Sequence, residues 1–370
     1  MRATVERSHL LKSLNHVHRV VERRNTIPIL ANVLLRADGS LTLKATDLDL
    51  EVTETVPAEI AQPGATTVPA HILYDIVRKL PDGSEVSLDT GDGAQLEVKA
   101  GRSRFVLQVL PEADFPELTA GDFPTRFTLA ASALKTLIDR TQFAISTEET
   151  RYYLNGIYLH IVNVDGTPML RAVATDGHRL AQAQLGAPDG IDGMAGVIVP
   201  RKTVGELQKL VEEPDAEVIL EVSDTKIRAT LDGVVLTSKL IDGTFPDYVR
   251  VIPQDNEKIL KVDNDSFRHA VDRVSTVSSE RGRAIKLALS DGRVELSVNN
   301  PDSGSANEEV AADYATDPLE IGFNSKYLLE VSDQIQSETA EFRFADPGSP
   351  TLIQDDDDAN ALYVLMPMRV

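Results

Sequence analysis

The chain has 370 residues, with 37 Lys+Arg against 58 Asp+Glu, a net charge of −21, a mean hydropathy of −0.14 and no Cys or Trp. The absence of cysteine rules out disulfides, thiolate zinc sites and a cysteine nucleophile and fits a reducing compartment; seven scattered His without HExxH or paired spacing leave no metal or cofactor to expect. No apolar run approaches the roughly 18 residues of a membrane span, and "MRATVERSHLLKSL" lacks an apolar core before a small-residue cleavage site, so the expected setting is cytoplasmic and the length predicts two or three domains.

The first predicted element is a helix over residues 8–21. Its apolar Leu10, Leu14, Val17 and Val21 recur at i, i+4, i+7 and i+11, and steps of 100° set Lys12, His16, Arg19 and Arg23 on the opposite face. The run "LTLKATDLDLEVTETV" alternates with period two and predicts two strands around a turn. A second helix starts near Pro69 in "TTVPAHILYDIVRKL", with Ile72, Leu73, Ile76 and Leu80 on one side and His71, Tyr74 and Arg78 on the other. Two strands in "LEVKAGRSRFVLQVLPEADFPEL" close this first third.

The same order then recurs twice. Helices over 132–145 and 266–277 repeat the first, and Ser8, Ser132 and Ser266 stand where N-caps are expected. "VIVPRKTVGELQKLV" and "IGFNSKYLLEVSDQI" repeat the second; the starts at Pro69, Pro200 and Asn324 are 131 and 124 residues apart. The closing strands recur in "KIRATLDGVVLTSKLIDGTFPDY" and "TLIQDDDDANALYVLMPMRV", where "QDDDD" reads as a solvated hairpin tip. A repeat of about 125 residues is one domain. The predicted fold class is α+β, three repeated domains of two helices packed on antiparallel sheets, with boundaries that give 1–122, 123–252 and 253–370. The pairs Phe115-Pro116 and Phe245-Pro246 suit the joints, because proline cannot continue a ladder.

Charge is sorted by element. Windows around the six helices hold 17 Lys+Arg and 11 Asp+Glu, against 20 and 47 elsewhere. A mildly basic helix face in an acidic protein supports weak, sequence-blind contact with phosphates, since repulsion would otherwise keep a polyanion away.

"ATDGHRL" sets Asp176 beside His178, a pattern that orients general bases in enzymes. "ATDLDLEV" occupies the same place in the first repeat, with no histidine beside Asp47. Ala-Thr-Asp is therefore expected to be a turn of the scaffold, with His178, Arg179 and Leu180 the additions of the second repeat. An Asp/His hydrolase and a scaffold unrelated to DNA are the alternatives; the first lacks a GxSxG elbow, a P-loop and a second carboxylate at fixed spacing.

"TVERSHLLKSLNHV", "NTIPILANVLL", "PGATTVPA", "AGRSRFVLQVLPEADFPEL", "RYYLNGIYL", "AVATDGHRLA", "VIVPRK", "SKLIDGTFPDY", "IGFNSKYLLEV" and "YVLMPMRV" together resemble the beta subunits of bacterial DNA polymerase III, the sliding clamps. The resemblance runs from residue 1 to 370. It implies a head-to-tail homodimer closed into a ring, with helices lining the hole and sheets outside. It also implies a processivity factor with no chemistry of its own, placed on duplex DNA by a clamp loader complex. Its partners would be the DNA polymerase III alpha subunit and other polymerases and repair proteins, each inserting a short peptide.

By matching motifs, the deep peptide pocket falls on Leu154, Thr175, Gly177, His178, Arg179, Leu180, Pro246, Val251, Val364 and Met366. An adjoining shelf falls on Arg151, Tyr153, Asn324, Tyr327, Pro367, Met368 and Arg369. DNA contacts carry over to Arg24, Tyr152, Arg201 and Lys202. The dimer contact carries over to Phe105 and Leu107 of one protomer against Thr276 and Val277 of its partner. His71 and Val249 stand where the family pattern has basic residues, and Val370 replaces a terminal Leu.

Overall fold

The computed structural model describes every residue except 119–120, 212–214, 280–281 and 370, so Val370 lies outside the described residues. Among the described residues six α-helices occur: α1 (Arg7–Val17), α2 (Ala70–Lys79), α3 (Ala131–Asp139), α4 (Arg201–Leu210), α5 (Asn264–Ser275) and α6 (Ser325–Ser332). The second helix of each repeat starts directly after Pro69, Pro200 or Asn324, as the spacing predicts.

The serines do not cap the first helices. Glu6 caps α1 by accepting from the His9 amide, and Asp263 caps α5 by accepting from the Ser266 amide at 2.8 Å. A carboxylate reaches the same free amides and adds charge that the helix N-terminus favours. α1 also ends sooner than its apolar stripe predicts. His18 Nδ1 bonds the Leu14 carbonyl oxygen at 2.7 Å and closes the last turn, leaving Arg19 and Arg23 beyond the helix. His16 does not face outward: it sits 2.8 Å from Glu54, and both side chains are largely buried. Counted within the observed helices, eleven basic residues still outnumber six acidic ones.

The chain divides into two compact units. The first takes Met1–Ser132, Pro188–Met194 and Gly205–Leu240. It contains a five-stranded antiparallel sheet whose last strand is Ser103–Gln108, and an eight-stranded sheet in which Val234–Lys239 pairs with Leu50–Val56. That pair joins a strand of the second repeat to one of the first, with Leu236 opposite Val52. Leu10, Leu14 and Val17 of α1 and Ala70, Leu73 and Val77 of α2 are buried in this unit.

The second unit takes Ala133–Ala187, Ala195–Val204 and Ile241–Val370. Its twelve-stranded sheet includes Gly156–Val164, Thr167–Thr175 and Arg179–Gly186, and the last of these pairs with Ala361–Leu365. Again the joint is between repeats, Leu180 opposite Val364. Compactness therefore follows sheet pairing and cuts across the sequence repeat. Phe267 of α5 packs on Phe342 at 5.1 Å, part of a fully buried aromatic core.

The acidic run is not simply a solvated tip. Asp355 is buried, and its Oδ1 accepts from the Gln336 and Ser337 amides at 2.7 and 2.8 Å and from the Ser337 hydroxyl. Asp356 pairs with Lys261, and Asp358 bonds the buried Arg140 at 2.7 Å. Four like charges coexist because Asp355, Asp356 and Asp358 each meet donors from other parts of the chain.

Candidate functional site

The turn Asp176–His178 connects the strands Thr167–Thr175 and Arg179–Gly186. Asp176 Oδ1 accepts from the His178 and Arg179 amides at 2.9 and 3.0 Å, and Thr175 Oγ1 accepts from the Gly177 amide at 3.1 Å. In the first repeat Asp47 Oδ1 takes the Asp49 and Leu50 amides, and Thr46 Oγ1 takes the Leu48 amide. Gly177 and Leu48 share a left-handed backbone, φ 89° and 81°. Local side-chain bonding of this kind builds turns wherever Thr-Asp precedes a left-handed residue. Because Oδ2 of Asp176 meets Arg179 Nε at 3.2 Å, both carboxylate oxygens are engaged, and neither orients the exposed His178.

Arg179 is 8% exposed. Besides Asp176 it pairs with Glu330 of α6 and donates to the Phe143 carbonyl oxygen at 2.6 Å. The guanidinium also stacks on Phe143 and Tyr327, at 5.1 and 4.2 Å from the ring centres. Arg179 thus fastens the turn to Tyr327, with its Nε, Nη1 and Nη2 each donating within the protein.

Leu154, Leu180 and Val364 belong to one buried cluster with Val173, Ile198, Phe245 and Tyr248. Around it Gly177, His178 and Pro246 are exposed, as are Val251 and Met366 at 52% and 43%. Exposed apolar side chains over an apolar floor make a surface suited to an apolar peptide. The Met366 amide donates to the His178 carbonyl oxygen at 2.9 Å, and the Met368 amide to that of Gly322 at 2.8 Å. The tail that carries Pro367 is thereby pinned beside the turn and along the strand Leu319–Asn324. On the shelf side, Arg151 lies against Gly177, where a Cβ would stand 2.6 Å from its Nη1. Asn324 caps α6 by accepting from the Lys326 amide, and Arg369 is exposed.

Under the floor lie residues the sequence did not single out. The Tyr248 hydroxyl accepts from Arg171 at 3.1 Å and sits 2.9 Å from His160 Nε2. Burial, with the Arg171 charge adding to it, pushes the His160 pKa down to about 4. Tyr158 stacks between His160 and Phe245, at 4.2 and 4.9 Å. In sequence His160 and Arg171 are only members of alternating strands, while Tyr158, Phe245 and Tyr248 lie inside "RYYLNGIYL" and "SKLIDGTFPDY", whose wording does not reveal that they meet.

The remaining candidates occupy accessible positions. Arg24 is exposed in the irregular segment after α1, and Tyr152 is 53% exposed. Arg201, exposed, and Lys202, half-buried, open α4. Phe105 and Leu107 are half-buried on the outermost strand of the five-stranded sheet. Phe105 lines a groove of about 330 Å³ with Ile72, Ile76, Leu80 and Pro81, to which Asp75, Lys79 and Ser103 also contribute. Thr276 and Val277 follow α5. Among the described residues no group of His, Asp or Glu is arranged to hold a metal, and no helix is long and apolar enough to cross a membrane.

Models of three domains of the DNA polymerase III beta subunit match consecutive parts of the chain: the N-terminal domain residues 1–119, the central domain 128–247 and the C-terminal domain 249–369. The chain belongs to the DNA polymerase III beta subunit family. The beta sliding clamp of Caulobacter vibrioides is 56% identical and that of Escherichia coli 40% identical, each alignment covering all of both chains. A crystal structure of the sliding clamp from Bartonella birtlesii bound to griselimycin superposes with a TM-score of 0.98 at 60% identity over both full chains. A Caulobacter crescentus beta sliding clamp carrying polyethylene glycol gives 0.97 at 56%, covering 100% of this chain and 99% of that one. A beta subunit of this family is a processivity factor of DNA replication and not an enzyme, which agrees with Asp176 serving the backbone of its turn.

Proposed function

We propose that the protein forms a ring of two head-to-tail protomers around duplex DNA and holds the replicative polymerase to it. The observation that carries this reading is the match of all three beta-subunit domains in order along the whole chain. Two free strand edges support the closure. Ser103–Gln108 ends the five-stranded sheet, and Gly304–Asp313 pairs on its second side only at Ala312 and Asp313. Edge strands invite pairing with another chain. In this reading Phe105 and Leu107 of one protomer meet Thr276 and Val277 of its partner.

Arg24, Tyr152, Arg201 and Lys202 touch the sugar-phosphate backbone without reading bases. The pocket from Leu154 to Met366, with its shelf from Arg151 to Arg369, takes peptides of the DNA polymerase III alpha subunit, the clamp loader complex and other polymerases and repair proteins. The three domains are 1–122, 123–252 and 253–370, and the setting is the replication fork in the cytoplasm. An encircling ring is held by topology, so the test is retention on nicked circular DNA after loading. The protein should stay bound in moderate salt and leave once the circle is cut to a line. Equal retention on both forms would refute the ring.

A further inference from the structure

We propose that duplex DNA bound at Tyr152 and a peptide bound in the adjoining pocket tighten one another through residues 146–155. The proposal rests on the two site assignments above and adds a coupling between them. A short 3-10 segment, Glu149–Leu154, carries Arg151, Tyr153 and Leu154 on the peptide side and Tyr152 between them. The segment is tied at both ends: the Ser146 amide donates to the Leu154 carbonyl oxygen at 3.1 Å, and the Asn155 carbonyl oxygen accepts from the Arg201 amide at 2.9 Å. The second bond joins it to the start of α4, where the other DNA candidates of this unit lie.

Within the segment the side chains are not independent. Tyr152 and Tyr153 meet edge to face, with ring centres 5.8 Å apart. Both press on Gly243, where a Cβ would stand 3.1 Å from Tyr153 Cβ and 3.4 Å from the Tyr152 ring. Arg151 breaks the helical geometry, φ −112° and ψ 51°, and is held by Glu148 at 2.8 Å and by its packing on Gly177. Tyr152 itself is more than half exposed, so one side of its ring is open to a bound duplex while the other rests on Tyr153 and Gly243. Fixing Tyr152 against DNA fixes the ring beside it and the kink before it, and the peptide then meets a shelf already ordered. Ordering that serves both ligands gives positive coupling without any change of fold, and the coupling is reciprocal.

The test measures a labelled peptide bearing a Gln and a Leu-Phe end, by fluorescence anisotropy at low salt, without DNA and with a saturating short duplex. The expected ratio of the two Kd values is about fivefold, at the low end of ordinary couplings. Tyr152→Ala should bring this ratio to one. Arg24→Ala, which lies in the other compact unit and outside the segment, should weaken duplex binding yet keep the ratio once the duplex saturates. A ratio of one in the unsubstituted protein overturns the coupling, and so does a ratio that survives Tyr152→Ala. If the peptide fails to bind at all, or Tyr152→Ala leaves duplex affinity unchanged, the underlying site assignment is refuted and the coupling falls with it.

Discussion

At the residue scale, the turn beneath His178 was legible because its chemistry is local. Thr-Asp followed by a left-handed residue satisfies its own amides, so two copies of the motif predict two copies of the geometry. The role of Arg179 was not legible, since its partners Phe143 and Glu330 are 36 and 151 residues away. Met366 is an exposed apolar side chain on the rim, and Met366→Ala should weaken peptide binding at least tenfold, about 1.4 kcal/mol, in anisotropy titrations. Sedimentation should meanwhile show the same oligomer, because Met366 is not among the residues proposed to close the ring. His160 gives a prediction with a definite sign. Its folded pKa, about 4, lies below the unfolded value of 6.5, so the unfolded chain takes up the proton first. The stability linked to a neutral His160 is complete above pH 6.5, declines through that window and is lost as pH falls through about 4, up to about 3 kcal/mol in all. His160→Gln should flatten the fall of Tm between pH 6.5 and 4; an unaltered slope would show that His160 titrates normally.

At the element scale, the starts of the second helices were readable from Pro69, Pro200 and Asn324, while the end of α1 was not, because the chain tightens into three-residue turns after Val17 although the apolar stripe runs on to Val21. The acidic run misled for a related reason: four aspartates look solvated in sequence, but the buried Asp355 serves as the acceptor for two amides of a distant loop. Edge strands could be expected from the repeat and identified only from pairing. Among the described residues Ser103–Gln108 pairs on one side only, and half-buried Phe105 and Leu107 leave apolar surface along it. A charge placed there would be buried without a partner in the closed ring, at a cost of several kcal/mol. Leu107→Asp should therefore yield folded protomers that sediment as monomers, with Tm changed by only a few degrees. A dimer that persists would move the interface elsewhere.

At the scale of the whole molecule, the repeat announced three domains, yet the compact units are two, because Val234–Lys239 and Ala361–Leu365 each pair with a strand of another repeat. Pairing between distant strands leaves no periodic trace, whereas charge sorting does. A net charge of −21 with an excess of basic residues on the helices suits a ring that repels polyanions outside and tolerates one inside. Such contacts should be few and indifferent to sequence. Each phosphate contact releases about one counterion, so replacing Arg24, Arg201 and Lys202 together by Ala should flatten the slope of log K against log salt by about three units. The loss should be the same on duplexes of different sequence, measured by anisotropy between low and moderate salt. Once the ring is loaded on a closed circle, retention should survive the triple substitution, since topology and not affinity then holds the protein. Rapid loss from closed circles would mean that these three side chains, rather than encirclement, keep the protein on DNA.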